Sequence, residues 1–187
     1  MVDDKNNTAA PNLNRQGTGA TNPGLLSLVR KGGAHDWCYR VLFLCPDNSV
    51  SSIFAEALLR RWGGSGFRGY SAGCQPAAEV HPLAIGLLKL QRVWQPELRP
   101  KHYDEFLHDD APKMNFVISL GERPPDGLPS VWPGSPRMMH WHITEPVVFG
   151  EPAERKNTFR RTLSELETRI KLFVLVFQKE AQKKFAA

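Results

Sequence analysis

The segment Tyr39-Arg40-Val41-Leu42-Phe43-Leu44 constrains this chain more than any other. Its short, unbroken apolar run suits a strand buried on both faces, which means a parallel strand covered above and below. A loop follows it, and then Ser52 to Trp62, where Ile53, Ala57 and Leu58 recur at helical spacing until Gly63-Gly64 ends the helix. The alternation repeats downstream. Phe67 to Ser71 reads as a strand, and Pro82 to Val93 as a helix with proline in its first turn. Phe116 to Leu120 is a second buried-strand run, Arg137 to Trp141 a fourth strand, and Asn157 to Lys179 the longest helix. Strands alternating with helices predict an α/β domain of three layers: a four-stranded parallel sheet with helices on both faces. Right-handed crossovers then place ligand sites at the carboxyl ends of the strands, near the switch in strand order.

With 187 residues, 41% of them hydrophobic and 23% charged, the chain has material for one packed domain, which excludes wholesale disorder. Residues 1–36, rich in Asn, Thr, Gly, Pro and Ala, read as a flexible arm, residues 37–179 as the domain, and residues 180–187 as a frayed basic tail. The longest apolar run, Leu172 to Phe177, is far too short to cross a bilayer, and Met1 to Asn7 does not open a secretory signal. No membrane association is expected. Of the net charge of +5, two charges lie before residue 36 and two after residue 177, leaving one for the body. Basicity confined to the ends, without interleaved aromatics, argues against nucleic-acid binding. Three cysteines without a C-x-x-C pair make neither a disulfide framework nor a zinc ribbon, so a reducing, cytoplasmic setting is expected.

Chemistry is concentrated in Leu44-Cys45-Pro46-Asp47-Asn48-Ser49-Val50-Ser51-Ser52-Ile53, between the first strand and the first helix. A loop in this position aims its backbone N–H groups at one point, with the positive end of a helix dipole behind them. A cysteine opening such a loop is expected to have its pKa depressed below about 8.5, toward the nucleophilic thiolate. On position alone, a small buried hydrophobe at a strand end is the more ordinary reading of Cys45. Asp47 brings negative charge into the loop, which raises the Cys45 pKa and discourages phosphate.

From this loop onward the chain resembles the low-molecular-weight protein tyrosine phosphatases and the arsenate reductases built on the same fold. Their phosphate loop reads Cys, five residues, Arg, then Ser or Thr. Further landmarks follow in order: Ala55-Glu56-Ala57, Tyr70-Ser71-Ala72-Gly73, His81-Pro82, Lys101 with Asp104-Glu105-Phe106, Trp132-Pro133-Gly134, Trp141 to Pro146, and Phe159-Arg160-Arg161. The resemblance implies Cys45 as nucleophile, Glu145 as general acid, and Pro46, Asp47, Asn48, Ser49, Val50, Ser51 and Ser52 as the oxyanion-binding loop. It also implies Asn48, Ser52, Ser71 and His81 as loop support. Asn tolerates the left-handed backbone such a loop requires, and its amide can bond Ser and His partners.

Three departures qualify that picture. The family's loop arginine falls at Ser51, which cannot clamp an oxyanion bidentately, and losing one preorganised donor costs about 10²–10³ in rate. The family's acid, an Asp before Pro, falls at Glu145, whose extra methylene displaces the carboxyl; misplacement by about 1 Å costs about 10². The family's second loop cysteine falls at Val50, and Leu120 to Pro133 holds none, so the thioredoxin-coupled relay is absent. The implied protein is a degenerate member, weak or inactive as a phosphatase, that takes a phosphate-like oxyanion, a phosphorylated substrate or a protein partner. The alternative is an active cysteine-dependent phosphatase or arsenate reductase using Cys45 and Glu145. No cofactor and no metal are implied. His140 and His142 share a strand face but lack a third ligand at convincing spacing, and Cys74, just after Gly73, reads as an incidental thiol. Arg123 and Arg137 lie in segments that can approach the loop and are candidates to replace its arginine.

Overall fold

A computed structural model describes residues 38–185, with side chains described as far as Ala181; the arm assigned to residues 1–36 lies outside the described residues. The elements are β1 (Tyr39–Cys45), α1 (Ser51–Trp62), β2 (Phe67–Gly73), α2 (Pro82–Leu90), β3 (Phe116–Gly121), β4 (Arg137–His142) and α3 (Pro152–Phe185). The four strands form one parallel sheet in the order β2-β1-β3-β4. Val41 through Cys45 are all buried, as the unbroken apolar run demands of a central strand.

The sheet is covered on both faces, but the two covers differ. All three α-helices contribute to one core, with Val41 and Phe43 of the sheet packed among Ile53, Phe54, Leu58, Leu88, Phe159 and Leu166. The opposite face buries Leu42, Leu44, Ala72 and Val117 beneath Phe106, Met114 and Trp132, which come from irregular chain and a single 3₁₀ turn, Tyr103–Phe106. Strand order explains the asymmetry. The chain steps outward from β1 to β2, then back past β1 to β3 and on to β4, so right-handed crossovers carry the later connections over the second face. The reversal of direction beside β1 is the switch point, and the loop after β1 opens onto it.

Two helix ends differ from the sequence expectation. α2 stops at Leu90 because Arg92 takes a left-handed backbone (φ 58°), closing the helix before Val93. α3 opens at Pro152, five residues before Asn157, and runs to Phe185, so the tail expected to fray after Lys179 is helical to that point. Ala181 is fully buried, which gives the extra turn a packing reason. At the amino-terminal edge of the sheet, Tyr39, Phe67, Phe116, Phe173 and Phe177 form a ring cluster with centroids 4.5 to 6.3 Å apart. Aromatic pairs of this kind contribute about 0.5–1.5 kcal/mol each beyond area burial. Among the described residues, no helix is long and apolar enough to cross a membrane.

Candidate functional site

The loop between β1 and α1 is held by its carbonyls. Pro46 O accepts from Gln75 N (2.9 Å), Asp47 O from Ala77 N (2.8 Å), and Ser49 O from His81 N (3.1 Å). Gly73, the register partner of Cys45, lets the loop lie against β2: a Cβ there would sit 2.7 Å from Pro46 O and 3.0 Å from Asn48 N. Asn48 is left-handed (φ 51°) and buried. Its Nδ2 donates to Ser52 Oγ at 2.7 Å, and its Oδ1 accepts from Lys101 N at 2.8 Å. The Asn48 and Ser52 support roles therefore have direct geometry. Val50 caps α1 without a side-chain hydrogen bond, so no capping side chain claims the first-turn N–H groups of that helix.

Cys45 ends β1 at 1% exposure, its Sγ 3.0 Å from Ser52 Oγ and 3.7 Å from Asp47 Oδ1. The Asp47 carboxylate folds back onto the loop, accepting from Ser49 N (3.1 Å) and Ser49 Oγ (2.7 Å). The expected depression of the Cys45 pKa is reversed here. Burial, then the Asp47 charge, with a smaller contribution from Glu145, push the thiol up to about 12 against the opposing hydrogen bond from Ser52. A helix terminus lowers a thiol pKa when the site is open and electropositive. Here the sulfur is buried and has two carboxylates beside it.

Ser51, at 1% exposure, donates its hydroxyl to Glu145 Oε2 at 2.8 Å. The two side chains that the resemblance sets at the clamp and acid positions thus bond directly to each other across the sheet edge. Glu145 Oε1 lies 3.4 Å from where a Cβ of Gly121 (φ 125°) would be, at the end of β3. Burial raises the Glu145 pKa, the hydrogen bond from Ser51 opposes, and the charges of Asp47 and Glu122 raise it further.

Ser71 and His81 support the loop differently from the sequence expectation. Ser71 Oγ donates to the buried Glu56, not to Asn48. Glu56 also pairs with Arg60 and, at 3.4 Å, with Lys101 Nζ. Burial lowers the Lys101 pKa although Glu56 acts to raise it. Lys101 thereby joins this ionic cluster to the loop, through its own backbone bond to Asn48. His81 Nδ1 accepts from Leu83 N at 3.1 Å, capping α2, and its ring stacks 4.7 Å from Phe159. It meets the loop only through its backbone N–H. Glu56 was given no role of its own from the sequence, although it stood in the Ala55-Glu56-Ala57 landmark as a charged side chain on a helix that is otherwise apolar there.

The remaining candidates lie apart. His140 Nδ1 is 2.9 Å from Ser119 Oγ, and His142 Nδ1 is 3.2 Å from Glu122 O; among the described residues no group of three or more His, Cys, Asp or Glu is placed to hold a metal. Cys74 is half-buried with its pKa raised by burial and by Asp126. Arg137 lies over Phe177 at the amino-terminal edge, the wrong end of the sheet for the loop, and Arg123 is exposed.

Comparison with known proteins agrees with this geometry. The family model for low molecular weight phosphotyrosine protein phosphatase matches residues 40–184. An arsenate reductase of Halalkalibacterium halodurans is 30% identical over 134 residues, covering 71% of this chain and 93% of that protein. The crystal structure of an arsenate reductase from Archaeoglobus fulgidus superposes with a TM-score of 0.55 at 30% identity, over 72% of this chain and 98% of that one. A structure of an arsenate reductase in the phosphate-binding state shares the fold, with a TM-score of 0.59 at 22% identity over 73% of this chain and 97% of its own. On the matched span, the strand–loop–helix and the order of its landmarks, the chain belongs to the low molecular weight phosphotyrosine protein phosphatase family.

Proposed function

We propose that this protein is an oxyanion-binding member of its family with weak or no phosphatase turnover. The hydrogen bond from Ser51 to Glu145 carries the reading. In a working site, a loop guanidinium would meet the oxyanion and the acid would face the leaving group; here the two positions satisfy each other. The neutral Cys45 thiol supports the same conclusion, because thiolate is the nucleophilic form. Binding is supported by what remains: the loop carbonyls are tied to Gln75, Ala77 and His81 in the segment after β2, and no side chain caps the first turn of α1, an arrangement suited to a phosphate-like oxyanion or phosphorylated ligand. That one of the similar structures is in a phosphate-binding state is consistent with this ligand class. Three unpaired cysteines support a reducing, cytoplasmic setting.

One observation favours a second reading, an active cysteine phosphatase or arsenate reductase: Glu145, its pKa raised chiefly by burial, hydrogen-bonds Ser51 of the loop, where a general acid would stand. Hydrolysis of an aryl phosphate by the protein and by Cys45→Ala, with a metal chelator present, separates the two. Equal background rates are expected. Turnover that vanishes in Cys45→Ala overturns the proposal in favour of the active enzyme.

A further inference from the structure

We propose that Arg155, in the first turn of α3, supplies the cation for an oxyanion at the 46–52 loop in place of a guanidinium at position 51. The inference rests on the oxyanion-binding reading above and adds the residue that completes the site.

The topology brings Arg155 to the correct edge. In a parallel sheet, the segments that follow the strands set out from the carboxyl edge. α1 opens there at Ser51, α2 at Pro82 and α3 at Pro152, and all three share one core. Side-chain contacts tie α3 to both sides of the loop. Val147 N donates to Thr158 Oγ1 (3.1 Å) and Thr162 Oγ1 to Thr144 O (2.9 Å), holding the strip that bears Glu145 along the helix. Phe159 stacks on His81, whose N–H bonds Ser49 O. Residues 155, 158, 159 and 162 follow the three- and four-residue spacing of one helix face. Arg155 is therefore the first-turn member of the face that touches both the acid strip and the loop's neighbour.

Its guanidinium is also uncommitted. Arg155 Nε is buried without a hydrogen-bond partner, and among the described residues Arg155 joins no ion pair. Buried polar atoms are almost always satisfied, and an orphaned one on a cation calls for an acceptor. An oxyanion is the acceptor a guanidinium fork fits best. The fields agree: the charges of Arg155 and Asp47 both act on the His81 ring, with burial the larger influence. Arg123 follows β3 at the same edge, its carbonyl 3.5 Å from the Gly121 Cβ position that Glu145 also approaches, but its side chain is exposed, and Arg137 lies at the far edge.

The test is titration of inorganic phosphate into the full chain, read by calorimetry and by phosphorus NMR, with melting temperatures confirming that each variant folds. Arg155→Gln is expected to weaken binding by about tenfold to a hundredfold, the range for a charge-assisted hydrogen bond. Arg155→Lys, which keeps the charge without the fork, falls between, and Arg123→Gln is unchanged. Adding Ser51→Arg gains more affinity in the Arg155→Gln background than in wild type, a non-additivity that a merely structural role for Arg155 would not produce. Equal affinity in wild type and Arg155→Gln, or an equal gain from Ser51→Arg in both backgrounds, overturns the inference and leaves the oxyanion reading intact. No phosphate binding by the wild type overturns both.

Discussion

Asp47→Asn tests the electrostatics of the loop with a nearly isosteric change. Asp47 Oδ1 lies 3.7 Å from Cys45 Sγ and also accepts from Ser49 N, a bond that an amide oxygen retains. What the substitution removes is one negative charge beside a sulfur that must itself become negative. At that separation Coulomb's law gives about 1–2 kcal/mol for effective dielectric constants of about 40–80, the range suited to an exposed carboxylate facing solvent. That is about 1–1.5 pKa units off a thiol now held at about 12. At neutral pH the thiolate fraction would rise at least about tenfold. A less basic thiolate is a poorer nucleophile, so alkylation accelerates by only about three- to sixfold. The assay is the pH dependence of iodoacetamide alkylation in a Cys38→Ser/Cys74→Ser background, beside the ultraviolet absorbance of the thiolate. An unchanged rate and midpoint would refute the reasoning and leave burial as the whole cause of the raised pKa.

Ser51→Arg breaks the Ser51–Glu145 bond and returns the clamp; aryl phosphate hydrolysis is expected to rise about 10²–10³ over wild type, and no gain would show that more than the clamp is missing. Gly73→Ala forces a Cβ to 2.7 Å from Pro46 O, against backbone that cannot yield cheaply, and is expected to cost about 1–3 kcal/mol in denaturant unfolding. Because the folded-state pKa of Glu145 is raised, the protonated form carries its stabilisation: present in acid, lost as pH rises through the folded value. Melting temperature should fall across that interval, and Glu145→Gln should remove this part of the pH dependence.

The strands were legible because β1 and β3 carry the apolar runs Val41 to Leu44 and Phe116 to Ile118, and runs of that kind have few alternatives. The helix at Ser51–Trp62 was legible from spacing and from its glycine stop. The loop and the Asp47 charge within it were legible, and the resemblance already set Glu145 at the site. Neighbours in sequence do not show that Ser51 hydrogen-bonds Glu145, 94 positions away. The local pattern also left Glu56 without a role, because its partners Ser71, Arg60 and Lys101 are brought together only by the fold. The end of α3 was misjudged for the same reason. Lys179, Lys183 and Lys184 look like a solvated tail, and the burial of Ala181 between them depends on contacts formed elsewhere.

The aromatic cluster lies at the amino-terminal edge of the sheet, and the loop lies at the other. Rigidity and reactivity are thereby assigned to opposite ends of the same four strands. Substitutions at the exposed loop positions Pro46 and Asp47 spare those aromatic contacts, so such a scaffold can alter its chemistry without unpacking the opposite edge. The architecture favours evolutionary experiment at one rim while the other preserves the fold.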